Sequence, residues 1–196
     1  MNLANKLTIL RIILAFIFIP LLLSEGFLPK LLALFCFACA SITDFLDGYI
    51  ARKYHLVTDL GKILDPIADK ILTLSAFLIF MYMSLIPMWM ALVIVFRELL
   101  ITGIRFSAIK KGQIMAAERL GKYKTVAQIV AIFTILIFLV LKASLYTSFP
   151  LWNNKFNLSA GRGIYFLMLI AVFLTLISGC SYIIKNRVIF LNAKMR

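Results

Sequence analysis

Two apolar runs in this chain are too short to cross a bilayer unless acids are counted into them. Residues 31–43 are thirteen positions without a charge, and residues 71–85 are fifteen. A membrane-spanning helix needs about 20 residues. Carrying the first run to residue 50 supplies the length but takes in Asp44 and Asp47. Carrying the second back to residue 65 takes in Asp65 and Asp69. Members of the first pair are three apart and those of the second four apart, so on a helix each pair projects from one face. Two length arguments thus place four carboxylates at one membrane depth, on neighbouring helices joined by a short loop over residues 53–62.

The bilayer premise comes from composition. Apolar residues make up 63% of the 196, and mean hydropathy is +1.02. A soluble domain is usually about half apolar. The net charge of +13 does not imply nucleic acid, because the basic residues lie between apolar runs. There they set topology and meet anionic lipid or phosphate. The amino-terminal apolar run has no small-residue cleavage site and leads into a loop and a second span, unlike a removable signal. Cys36, Cys39 and Cys180 are an odd count without a disulfide framework. Cys36 and Cys39 sit inside an apolar run and read as small buried hydrophobes, not as a metal or redox motif.

The spacing predicts an all-α integral membrane protein of six transmembrane helices in one domain over residues 1–196. The first helix covers residues 7–23, with Asn5 and Thr8 either capping it or meeting a ligand. Arg11 either snorkels to the surface or reaches a phosphate. Residues 24–30 form a turn, and the second and third helices carry the acidic pairs. A fourth runs from Pro87 to about residue 110 and contains Arg97 and Glu98. As sequence neighbours these two point about 100° apart and need different partners. They serve either intramembrane pairing or support of the acidic site. Residues 110–124 are a basic connection, 125–141 a fifth helix, 142–162 an external loop, and 163–184 a sixth helix. With both termini cytoplasmic, sixteen Lys and Arg fall inside and four outside. That bias turns the acidic cluster toward the cytoplasm.

Hard oxygen ligands without clustered His or Cys favour Mg²⁺ or Mn²⁺. Four carboxylates can hold two metals about 4 Å apart, the spacing of phosphoryl-transfer sites. Such a pair binds a diphosphate, polarises the attacked phosphorus and stabilises the leaving phosphate. One carboxylate must remain able to take a proton from the attacking hydroxyl. Asp69, the deeper of its pair, is the candidate. Gly48 and Ala51 keep one helix face small, Gly61 lets the incoming loop approach, and Arg52 can grip phosphate through two donors. His55, the one histidine, and Asp59 read as ordinary loop residues. A divalent-cation transporter is the competing class, but the acids cluster near one surface and no helix is broken at the bilayer centre.

The stretch reads D-x-x-D-G-x-x-A-R, then eight residues, then G-x-x-x-D-x-x-x-D. It resembles the signature of the CDP-alcohol phosphatidyltransferases without departure at Asp44, Asp47, Gly48, Ala51, Arg52, Gly61, Asp65 and Asp69. The six-helix plan extends the resemblance over nearly the whole chain. The stretches NLANKLTILRI, FRELLITGIR and LGKYKT resemble bacterial members of the family that use glycerol 3-phosphate as acceptor. The resemblance implies transfer of a phosphatidyl group from CDP-diacylglycerol to that acceptor with release of CMP, at the cell membrane, by a homodimer. It implies metal ligation by Asp44, Asp47, Asp65 and Asp69, with Asp69 also the base. It implies a donor site at Asn5, Thr8, Asp44, Gly48, Ala51, Arg52 and Gly61. The anionic acceptor requires a basic pocket, for which Arg105, Arg119, Lys122 and Lys124 are candidates; a solvated cytoplasmic charge is the competing reading, preferred for Lys110 and Lys111. Inositol phosphate, serine or a phosphatidylglycerol-type lipid are the alternative acceptors.

Overall fold

The structure is a computed structural model. It describes residues 3–54, 59–110, 119–148 and 154–185, and side-chain surroundings over 9–44, 70–108, 121–144 and 157–185. Six helices follow in order: α1 (Leu3–Leu23), α2 (Phe27–Tyr54), α3 (Asp59–Tyr82), α4 (Met88–Lys110), α5 (Arg119–Ser148) and α6 (Asn154–Lys185). No strand occurs among the described residues.

Among the described residues, three stretches are long and apolar enough to cross a membrane, within α2 (Phe27–Asp44), α5 (Gly121–Ser144) and α6 (Asn157–Lys185). Shorter apolar stretches lie in α1 (Ile9–Leu23) and α3 (Lys70–Tyr82). Apolar side chains fill the core, as in a soluble protein, but they also cover the outside. Phe16, Phe35, Phe96, Phe166 and Phe173 are exposed, whereas Arg11, Glu98, Lys124, Gln128, Thr175 and Ser178 are buried. Many large apolar side chains on the outside, with several charged and polar groups buried, suit surroundings of lipid. The chain is a multi-pass membrane protein.

Most helix boundaries lie outside the sequence expectation, although α3 ends at Tyr82 instead of residue 85 and α4 starts at Met88 instead of Pro87. The turn after α1 shrinks to residues 24–26. Gly26 takes φ +101°, a backbone state open to glycine, and α2 starts at Phe27. Pro29 then falls in the first turn of α2, where no amide hydrogen bond is lost. Helix α1 starts at Leu3, so Asn5 lies within its first turn instead of ahead of it. Pro20 lies in its last turn, and the Ser24 amide and hydroxyl both donate to the Pro20 carbonyl, at 2.9 and 2.8 Å. Gly61 and Asp59 belong to the first turn of α3, not to a loop. Helix α5 begins at Arg119, so Arg119, Lys122 and Lys124 ride on a helix and not on a connection. The expected loop over 142–162 is largely helical, because α5 runs on to Ser148 and α6 opens at Asn154.

Helix α3 closes in a tight reversal. The Leu85 amide reaches back to the Phe80 carbonyl at 2.9 Å, and Ser84 sits left-handed at φ 56°. This six-to-one bond is the mark of a Schellman closure, with Ser in a place that favours Gly.

The chain divides into two compact units, Met1–Leu85 with Ile132–Gly161 and Ile86–Ala131 with Arg162–Arg196. In the first, α1 packs against both α2 and α3. Ala15, Ala33, Ala40 and Ala76 are fully buried on these three helices. Small side chains allow the close backbone approach on which packing in lipid depends. Phe37 fills the space between, with its ring centroid 5.9 Å from Phe18 and 5.1 Å, edge-on, from Phe133. The buried Lys30 ammonium donates to the Leu22 carbonyl, satisfying an acceptor at the end of α1. In the second unit, Met90, Ala91, Ile94, Ala131, Met168 and Ala171 are fully buried. The three cysteines are free; Cys36 is partly covered and Cys39 exposed, so this pair is not the two buried hydrophobes its context implied, and Cys180 is exposed too.

Candidate active site

Helix α2 runs without a break through Asp44 and Asp47, and α3 through Asp65 and Asp69. Each pair therefore keeps the spacing that puts its members on one helix face. Gly48, Ala51 and Arg52 lie on the last two turns of α2, and Gly61 on the first turn of α3. The side chains of Asp47, Arg52, Asp65 and Asp69, and those of Asn5, Thr8, Ala51 and Arg119, lie outside the described surroundings.

Asp44 is described, and it has a partner that sequence reasoning missed. Arg11, midway along α1, places Nη1 2.7 Å from Asp44 Oδ1. The arginine side chain is 1% exposed and the aspartate 50%. Arg11 therefore neither snorkels nor presents itself at the surface; it meets a carboxylate. The signal was in the sequence. A cation buried in an apolar helix needs an anion at its own depth, and on the next span Asp44 and Asp47 were the acids there.

The donor chemistry of the four positions is uniform. All are carboxylates, no histidine or cysteine stands among them, and the one described oxygen set is half open. That set suits a hard, oxygen-seeking divalent cation of the Mg²⁺ or Mn²⁺ type. Among the described residues alone no cluster of three metal-ligating side chains forms.

A second polar cluster lies within the other unit, among α4, α5 and α6. Glu98 Oε1 accepts from Arg97 Nη1 at 3.2 Å and from the Lys124 ammonium. Arg97 Nη2 donates to Ser178 Oγ at 2.8 Å. Arg97 and Glu98 thus pair with each other, although they are sequence neighbours that were expected to need separate partners. Gly179 makes room for this arrangement: a Cβ there would stand 3.3 Å from Arg97 Cγ. One turn deeper, Gln128 Nε2 donates to Thr175 Oγ1 at 3.0 Å, and Thr175 Oγ1 donates to the Ala171 carbonyl at 2.6 Å. Every charged member is nearly buried, so each bond is strong and each loss expensive.

The basic candidates fall into two kinds. Lys122 is exposed on the first turn of α5, while Lys124, two residues on, is 6% exposed and engaged by Glu98. Arg105 is exposed, with its guanidinium carbon 6.0 Å from the centroid of the buried Tyr182 ring. A cation over an aromatic face gains modest energy and is held in place.

Apolar helices that carry paired acids, with buried cations matched to carboxylates, define a membrane-embedded protein with a polar, charged site. The CDP-alcohol phosphatidyltransferase family model matches residues 1–190, and the chain belongs to that family. The protein from Bacillus subtilis (strain 168) called CDP-diacylglycerol–glycerol-3-phosphate 3-phosphatidyltransferase is 38% identical over 197 residues, covering 94% of this chain and 95% of its own. A protein of the same name from Rickettsia typhi is 38% identical over 189 residues, covering 92% and 94%. A probable phosphatidylglycerophosphate synthase from Mycobacterium tuberculosis (strain H37Rv) is 40% identical over 134 residues, covering 67% and 64%.

Proposed function

We propose that this protein transfers the phosphatidyl group of CDP-diacylglycerol to glycerol 3-phosphate, giving phosphatidylglycerophosphate and CMP. The observation that carries the reading is the unbroken eight-position signature on α2 and α3, in a chain that aligns almost end to end with transferases named for that reaction. The finer features are part of the proposal. Six helices cross the bacterial cytoplasmic membrane with both termini and the acids on the cytoplasmic side, and the protein works as a homodimer.

Asp44, Asp47, Asp65 and Asp69 would hold Mg²⁺ or Mn²⁺, in a two-metal site. When bound, the cations supply charge neutralisation of the diphosphate and of the departing phosphate. The chain's own residues do the rest. Gly48 and Ala51 leave room for the cytidine, and Gly61, Asn5 and Thr8 border the donor. Arg52 holds the donor phosphates through its two-pronged donor face. Asp69 accepts the proton of the acceptor hydroxyl as its oxygen attacks the β-phosphorus. The bond from that phosphorus to the bridging oxygen breaks, a new phosphoester forms, and CMP leaves with the bridging oxygen. Arg105, Lys122 and Arg119 bind the acceptor phosphate, with Lys124 contributing from its anchorage on Glu98.

The test uses purified protein in mixed micelles with CDP-diacylglycerol and radiolabelled glycerol 3-phosphate. Label should enter the lipid phase in step with CMP release, and only with a divalent cation present. CMP release with inositol phosphate, serine or a phosphatidylglycerol-type lipid but not with glycerol 3-phosphate would overturn the acceptor. Divalent-cation flux into liposomes without any CMP release would overturn the enzyme.

A further inference from the structure

The proposed chemistry needs Asp44 as a metal ligand, yet one of its oxygens already faces a buried guanidinium. Arg11 Nη1 lies 2.7 Å from Asp44 Oδ1, and the arginine is 1% exposed while the aspartate is half open. The two ends of this ion pair are therefore unequal. Arg11 is enclosed by packed helix and has little room to swing away; Asp44, free on its outer side, would be the mobile partner without it. Separating a buried guanidinium from its carboxylate also costs several kcal/mol. The contact belongs to the resting architecture of α1 against α2 and would persist when a cation arrives.

We propose that Arg11 is a positioning residue that commits Asp44 Oδ1 and so limits Asp44 to one-oxygen ligation of the bound divalent ion; this rests on the metal-dependent reading above. The consequence is selectivity. Mg²⁺ and Mn²⁺ take near-octahedral shells of single oxygens, whereas the larger Ca²⁺ accepts carboxylates through both oxygens and tolerates seven or eight ligands. A carboxylate with one oxygen held by a guanidinium suits the small ions and denies Ca²⁺ its second contact. The charge of Arg11 also repels a nearby cation. That repulsion acts alike on every ion of charge two and cancels in a ratio of affinities, so the ratio isolates the orienting effect.

The variants are Arg11→Met, which keeps length and can be buried, and Arg11→Lys, which keeps a charge and one donor. The readouts are Mn²⁺ binding to the purified protein by electron paramagnetic resonance, with Ca²⁺ and Mg²⁺ as competitors, and the separate KM values for donor and acceptor. In Arg11→Met the preference for Mn²⁺ over Ca²⁺ should fall on the order of tenfold, the usual size of a lost partner behind a ligand. Arg11→Lys should recover most of the preference. Turnover should fall through kcat, with the KM for glycerol 3-phosphate little changed. An unchanged Mn²⁺-to-Ca²⁺ ratio in a folded Arg11→Met protein overturns the proposal, as does an Arg11→Lys protein no more selective than Arg11→Met. A wild-type protein that binds no Mn²⁺ and turns over without divalent ions overturns the metal reading itself, a separate result. Should Arg11→Met fail to fold, Arg11→Lys and Arg11→Gln, compared by the same ratio, decide the matter.

Discussion

Removing the charge of Glu98 while keeping its shape gives the sharpest test of how the second unit holds together. Glu98 is 6% exposed, and its Oε1 serves both Arg97 Nη1 and the Lys124 ammonium. Glu98→Gln preserves volume and an acceptor oxygen but leaves two nearly buried cations without their carboxylate. Breaking a buried ion pair by removing one partner costs about 3–5 kcal/mol. Two partners are affected, but the amide oxygen still accepts a hydrogen bond, so we take the lower end, about 3 kcal/mol. For a chain of this length, each kcal/mol moves the unfolding midpoint by roughly 2–4 °C. The midpoint should therefore drop by about 6–12 °C, followed by intrinsic fluorescence in detergent. Adding Lys124→Met to Glu98→Gln should recover part of that loss, since one of the two cations has gone with the anion. A Glu98→Gln midpoint within a degree or so of wild type would refute the reasoning. So would a double variant whose loss equals the sum of the two singles, because residues that share one network do not add.

Other outcomes follow from the site. Asp69→Asn should abolish turnover while donor binding, followed by CDP-diacylglycerol protection of the thermal midpoint, persists; measurable turnover would remove the proton-accepting role. Lys122→Ala should raise the KM for glycerol 3-phosphate by about tenfold and the donor KM by much less, the scale of about 1.4 kcal/mol for one charge-assisted contact. Equal effects on both substrates would move Lys122 out of the acceptor pocket. Ser84→Gly relieves a left-handed serine at φ 56° and should raise the midpoint by roughly 1–3 °C; the strain released, about 1–2 kcal/mol, slightly exceeds the entropy glycine loses. A lowered midpoint would show that the serine hydroxyl contributes more than its backbone costs.

Much of the molecule was legible without coordinates, and the particular residues show why. The need of a bilayer for about 20 apolar positions forced Asp44, Asp47, Asp65 and Asp69 into helices, and α2 and α3 are continuous through all four. Helix ends were read less well. Arg119, Lys122 and Lys124 looked like a connection because charge counting treats a polar stretch as loop, yet α5 starts at Arg119. Backbone hydrogen bonds carry the helix through Gly121, and a polar helix end at a membrane surface costs nothing in apolar burial.

What the sequence determined by itself is the helical, membrane-embedded character of the chain and the pattern of acids. Both follow from local rules: bilayer thickness sets run length, and helix pitch sets which acids share a face. Which cation meets which anion was decided in three dimensions. Arg11 stands 33 positions from Asp44, and Lys124 stands 26 from Glu98. No local periodicity couples such distances. Only the packing of one helix on another brings those charges to a common depth, and in a medium that cannot hydrate them they pair.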